Sequence, residues 1–135
     1  MAIPANPEDW LSGYIPDLPT PFDEKGEIDL NAFRVLYERQ IEAGVPALVV
    51  CEAAGETSTL SPAEQESVTR TAVEIAGGRV RVIAGAGSNS TSHAIELTKR
   101  AEAAGADAIL SVVSSFSTVS LNHSTRAGRL SGSAI

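Results

Sequence analysis

The sequence predicts a parallel β/α fold, and three matching junctions predict it. Gly44 precedes Ala47-Leu48-Val49-Val50, Gly77 and Gly78 precede Val80-Arg81-Val82-Ile83-Ala84, and Gly105 precedes Ala108-Ile109-Leu110-Ser111-Val112-Val113. At each one an amphipathic helical stretch stops at glycine and a short apolar run rich in β-branched residues begins. The first and third junctions, Glu42-Ala43-Gly44-Val45-Pro46-Ala47-Leu48 and Ala103-Ala104-Gly105-Ala106-Asp107-Ala108-Ile109, nearly repeat each other 61 residues apart. That spacing is two helix-strand units of about thirty residues, the period of parallel β/α architecture.

Residues 1–12 read as an extended, proline-containing arm with Trp10 and Leu11 as its anchors. A first strand is expected around Tyr14 to Leu18, kept short because Pro16, Pro19 and Pro21 withhold ladder donors. Asp23 to Glu27 form a polar turn. Asp29 then caps a helix whose apolar positions Leu30, Phe33, Leu36, Tyr37 and Ile41 share one face, and Gly44 ends it. The next helix starts with Ser61 as cap, Pro62 at the first helical position and Glu64 at the third, a capping box, and buries Val68, Ala72, Ile75 and Ala76. A third helix is expected from about Ser92 to Ala104, with Ala94, Leu97, Ala101 and Ala104 inward.

After Val113 the pattern changes. Residues 114–135 are rich in Ser, Thr, Arg and Gly, show neither helical nor alternating periodicity, and are expected to be poorly packed coil. The chain therefore divides into an arm (1–12), a β/α domain (13–113) and a divergent tail (114–135).

At 135 residues the chain fits one domain, whereas a closed barrel of eight β/α units takes about 250 residues. Four strands cannot close such a barrel, and half of one would leave unpaired edges and a bare apolar face calling for a partner. A small open sheet of the same length avoids that problem, and periodicity does not choose between the two. A formal charge of −7, with ten scattered Lys and Arg residues, argues against nucleic acid and anionic membranes. A single cysteine, Cys51, excludes an internal disulfide and fits a reducing compartment; with no basic-then-apolar leader and no run of membrane-spanning length, a cytoplasmic protein is expected.

In parallel β/α folds ligands meet the carboxyl ends of the strands, so function is sought in Cys51 to Thr59, Gly85 to Thr91 and the residues after Val113. Glu52 and Glu56 offer two carboxylates suited to acid-base work if one pKa is raised; the plainer reading has Glu56 anchoring backbone donors and Glu52 solvated. Gly85-Ala86-Gly87-Ser88-Asn89-Ser90-Thr91 precedes a helix and offers backbone amides to a phosphate, but it has neither a P-loop lysine nor a third glycine. A capped strand-to-helix turn explains the same residues. Cys51 reads as core packing, and His93 and His123 have no ligand partners in the sequence.

Several motifs in unbroken order carry a more specific signal. Pro19-Thr20-Pro21-Phe22, Gly26-x-Ile28-Asp29, Gly55-Glu56-Thr57-Ser58-Thr59-Leu60-Ser61, the stretch from Gly78 to Thr91, and Ala101-Glu102-x-x-Gly105-Ala106-Asp107-Ala108 together resemble the dihydrodipicolinate synthase and N-acetylneuraminate lyase family. The match runs from about Gly13 to Val113 and is similar to the amino-terminal part of that family's TIM barrel, about its first four β/α units. The resemblance implies a pyruvate-dependent lyase or synthase in which a lysine amine forms a Schiff base with a 2-oxo acid, most simply dihydrodipicolinate synthase chemistry joining pyruvate to aspartate semialdehyde. It implies no metal and no organic cofactor. It also implies pyruvate as small-molecule partner, while the exposed half-barrel face calls for a second copy or a complementary half-barrel.

The departures from the family pattern are equally informative. A Schiff-base lysine must sit in a partly desolvated pocket, yet Lys25 lies in a charged turn and Lys99 on the polar side of a helix. In the family the reactive lysine comes from a later strand, so no catalytic residue is expected in this chain. The family's Thr pair or Ser-Thr, which holds the oxo acid's carboxylate, corresponds to Ala53 and Ala54, leaving Ala53, Ala54, Gly55 and Glu56 as an altered carboxylate-binding loop with backbone amides as its remaining donors. The family's Pro-Tyr-Tyr-Asn stretch corresponds to Ser114-Ser115-Phe116-Ser117, so the proton-relay tyrosine is missing. An acidic residue that borders an allosteric lysine site in some relatives corresponds to His93, which argues against lysine feedback. A displaced echo of a later family motif in Asn122 to Gly128 leads to the expectation of a reading frame disrupted near residue 114. Two further readings remain beside this one: a non-catalytic half-barrel interaction module, and an open-sheet domain binding an anion at Gly85 to Thr91.

Overall fold

In a computed structural model the described residues are 7–113 and 116–121. Four helices and four strands follow in the order α1 (Pro7–Trp10), α2 (Leu30–Glu42), β1 (Ala47–Val50), α3 (Pro62–Ala76), β2 (Arg81–Gly85), α4 (Thr91–Ala103), β3 (Ala108–Val113) and β4 (Phe116–Leu121). The sheet order is β1-β2-β3-β4, with β1, β2 and β3 mutually parallel. The expected first strand contributes one parallel bridge, Asp17 to Val49, flanked by bonds from the Leu18 amide to the Val49 carbonyl and from the Val49 amide to the Pro16 carbonyl, both 2.9 Å. The prolines limit it to that length.

The helix starts are built as their sequences dictate. The Asp29 carboxylate accepts from the Asn31 and Ala32 amides, and Ser61 and Glu64 form a reciprocal capping box. Gly44 and Gly105, at the two repeated junctions, both take positive φ (85° and 96°), which turns the chain from helix toward strand without a Cβ penalty.

The sheet has two apolar faces. On the helix side Phe33 and Tyr37 stack tilted at 5.2 Å and pack with Leu48, Val50, Val68, Ala72, Val82, Leu97 and Ala101. Burying each of the larger of these side chains contributes about 1.5–3 kcal/mol. Leu30, expected inward, is 40% exposed because it stands in the first turn of α2, at the rim of the packed face. On the other side Ala47, Val49, Ile83 and Ala108 form a separate cluster with Trp10 (4% exposed), and Leu11, Ile15 and Leu110 pack against it.

Two features differ from the sequence expectations. The inner face was expected bare, but the arm turns through α1 and lays Trp10 on it, with the Arg81 guanidinium 5.8 Å from the Trp10 ring centre. Coil was expected from residue 114 onward, but Phe116–Leu121 forms β4, antiparallel to β3 from Val113↔Phe116 to Ala108↔Leu121. Backbone pairing satisfies the exposed edge of β3, and a run containing Phe116, Thr118 and Val119 suits a strand without strict alternation. The expectations for 1–6, for Ser114 and Ser115, and for 122–135, including His123 and the Asn122 to Gly128 echo, lie outside the described residues.

Candidate functional site

The carboxyl ends of β1 and β2 meet in one corner. Cys51, directly after β1, and Glu56 both adopt left-handed backbone (φ 57° and 55°), so the loop between them turns sharply twice. Non-glycine residues in that region carry strain of order 1–3 kcal/mol, which the surroundings must hold. Thr20 donates its hydroxyl to the Gly55 carbonyl at 2.8 Å in a buried bond. The Asp17 carboxylate accepts from the Ala54 amide at 2.9 Å. Gln65, only 8% exposed, donates from its side-chain nitrogen to the carbonyls of Thr57 and Leu60, both 3.2 Å.

Gly85 explains how β2 fits beneath this loop. A Cβ there would collide with the Cys51 carbonyl and stand 2.6 Å from a carboxylate oxygen of Glu52. The missing side chain is the space into which the β1 end and Glu52 settle. Gly55 is tight in the same way, with the Cys51 amide 3.1 Å and the Leu18 carbonyl 3.3 Å from an added Cβ.

Glu52 is therefore half-buried rather than solvated. Burial raises its pKa, and the charge of Asp17 raises it further. Glu56 is exposed, and its carbonyl accepts from both the amide (2.9 Å) and the hydroxyl (2.8 Å) of Thr59. Cys51 is core, as expected: it donates to the Gln65 carbonyl at 3.5 Å, and burial pushes its thiol up to about 11, so it is no thiolate nucleophile.

Gly85 to Thr91 leads into α4 through side-chain caps. The Ser90 hydroxyl accepts from the His93 amide at 3.5 Å and Ser88 from the Ser90 amide at 3.1 Å. These bonds favour the capped-turn reading over phosphate binding. Between this turn and the β1 loop lies a cleft of about 380 Å³ lined by Glu52, Thr57, Gln65, Ser88, Asn89 and His93, among others. Among the described residues no three His, Cys, Asp or Glu side chains converge as a metal site, and no helix is long and apolar enough to cross a membrane.

Asp17, Thr20 and Gln65 bond the backbone of the candidate loop, and the sequence reading passed over all three as candidate-site residues. Each carried a signal: an ionisable residue inside the short run Ile15 to Leu18, a hydroxyl between two prolines, and a polar residue on the stripe that continues through Val68, Ala72 and Ile75.

The Dihydrodipicolinate synthetase family matches residues 10–123. The chain belongs to that family. It is 58% identical over 100 residues to a 4-hydroxy-tetrahydrodipicolinate synthase of Hyphomonas neptunium, covering 74% of this chain and 34% of the relative. It is 53% identical over 102 residues to the synthase of the same name from Brucella abortus, covering 76% and 35%. Among solved structures it is similar to a chloride-inhibited dihydrodipicolinate synthase from Acinetobacter baumannii complexed with pyruvate, with a TM-score of 0.73 and 42% identity over 75% of this chain and 35% of that one. The enzyme from Aquifex aeolicus gives a TM-score of 0.71 and 44% identity, over 73% and 33%. The chain thus spans about a third of the length of the curated relatives it matches. Its parallel units are part of the dihydrodipicolinate synthetase TIM barrel, and the loop Ala53–Glu56 stands at the carboxyl end of β1, the side where such barrels place their chemistry.

Proposed function

We propose that this chain supplies the β/α units of a pyruvate-dependent lyase or synthase that shape the oxo-acid end of the site, with the Schiff-base amine provided from outside these residues. The reaction class is that of 4-hydroxy-tetrahydrodipicolinate synthase, condensing pyruvate with aspartate semialdehyde, the name carried by the relatives above. The observation that carries the reading is the placement of Ala53, Ala54, Gly55 and Glu56 on a doubly turned loop at the carboxyl end of β1, in a chain of this family.

The roles of the chain's own groups follow from their bonds. Thr20 and Gln65 hold the loop backbone from two sides, Glu52 is a carboxyl in a partly desolvated corner, and of the loop amides that of Ala54 donates to Asp17 and that of Glu56 to the Ala53 carbonyl. Neither lysine has the setting an imine-forming amine needs, since Lys25 and Lys99 are both exposed. Borohydride reduction in the presence of pyruvate, read by mass spectrometry, tests this: no adduct is expected on either lysine. A stoichiometric adduct on Lys25 or Lys99 would show that the chemistry is carried here after all.

A further inference from the structure

The bond between Asp17 and Ala54 changes what the candidate loop can accept. A backbone amide carries one proton and makes one strong hydrogen bond. At Ala54 that proton already points to a carboxylate oxygen of Asp17, 2.9 Å away, although the two residues are 37 apart in sequence. The other Asp17 oxygen is buried and has no partner among the described residues. A second carboxyl, Glu52, is close enough to respond to the charge of Asp17.

We propose that Asp17 is a specificity-determining residue: it places the chain's own carboxylate on the Ala54 amide, where the oxo acid's carboxylate would bind, and so competes with anionic ligands and weakens their binding at the loop. The proposal rests on the reading above, which makes this loop the oxo-acid end of the site. An entering carboxylate must displace Asp17 from the amide and then sit beside two like charges. Both requirements weaken anion binding, and both originate in one side chain on the first strand. Removing that side chain frees a donor and lowers the negative field in a single step. A charge-assisted bond of this kind corresponds to about tenfold or more in affinity.

The test uses the 135-residue chain labelled with nitrogen-15, following the Ala54 amide by NMR during titration with sodium acetate and, separately, sodium pyruvate. In the wild type the Ala54 resonance is expected to stay in place at concentrations where Asp17→Ala gives a saturable shift with both ions, with about tenfold or greater gain in affinity. Asp17→Asn keeps the size and the polar contacts of the side chain while removing its charge, so it reports on the same competition if the alanine variant does not fold; its gain is expected to be smaller but in the same direction. Equal affinity in wild type and variants would overturn the proposal, as would a silent Ala54 amide with acetate in a folded variant. The pyruvate-to-acetate comparison reports separately on the oxo-acid reading: equal affinities for the two ions in the variants would defeat that reading while leaving the competition by Asp17 intact.

Discussion

Asp107 binds Arg81 across the amino ends of β3 and β2. One carboxylate oxygen accepts from the guanidinium at 3.0 Å and the other from the Val82 amide at 2.9 Å, while the Asp107 amide donates to the Val82 carbonyl at 2.8 Å. The regular ladder between these strands begins one residue later, at Ile83↔Ala108. A side chain thus continues the pairing where the backbone register runs out, and the same arginine lies over Trp10 on the inner face. Asp107→Ala removes the acceptor of a backbone donor and is expected to cost about 1–3 kcal/mol, with Asp107→Asn costing less. Urea denaturation at constant slope measures both, and equal losses in the two variants would show that the neutral acceptor contributes nothing and the charge carries the whole effect.

Gly85 is expected to be the least replaceable position of β2. An added Cβ meets the backbone carbonyl of Cys51, which cannot swing aside as a side-chain tip does. Gly85→Ala should destabilise by about 1–3 kcal/mol and displace the Glu52 loop. Chemical-shift changes confined to β2, with Cys51 to Glu56 unmoved, would contradict the tight fit.

Glu52 makes stability depend on pH in a stated direction. A carboxyl whose folded pKa is raised favours the folded state below its unfolded pKa, and that contribution is lost as pH rises through the folded value. The ordinary value is 4.5 and burial beside Asp17 moves it upward, so at neutral pH the fold carries the penalty of an ionised group in this corner. Glu52→Gln is expected to raise the melting temperature at neutral pH, with a gain that shrinks once the pH falls below 4.5. A gain that is the same at both ends of that range would point to packing rather than charge.

Tyr37 is fully buried, and its hydroxyl has no hydrogen-bond partner among the described residues. Burial, with the charge of Asp107 adding to it, drives its pKa upward, so the phenol stays neutral across the stable range. Tyr37→Phe removes an unsatisfied polar atom and keeps the ring against Phe33. Stability is expected to hold or to rise by about 1 kcal/mol. A comparable loss in thermal or chemical denaturation would mean that the hydroxyl is satisfied.

Much of the architecture was legible because local chemistry specifies it. Ser61, Pro62 and Glu64 announce the start of α3, and the glycines before the three apolar runs announce the turns into β1, β2 and β3. The strand β4 was not legible, since its residues lack alternation and what favours it is the unpaired edge of β3, a feature that exists only once the sheet is assembled. The site divides in the same way. The loop Ala53–Glu56 follows from motif order, but Asp17 on the Ala54 amide and Glu52 over Gly85 join residues that are far apart in the chain.

By itself the sequence determined the helix-strand rhythm, the caps and the family, because these depend on residue type and near-neighbour spacing. Only the tertiary structure decided that Trp10 packs on the inner sheet face, that Glu52 is partly desolvated, and that the Ala54 amide is already held by a carboxylate. Burial and hydrogen-bond partnership are properties of three-dimensional proximity. They arise when strand ends converge, and no one-dimensional pattern of residue types specifies them.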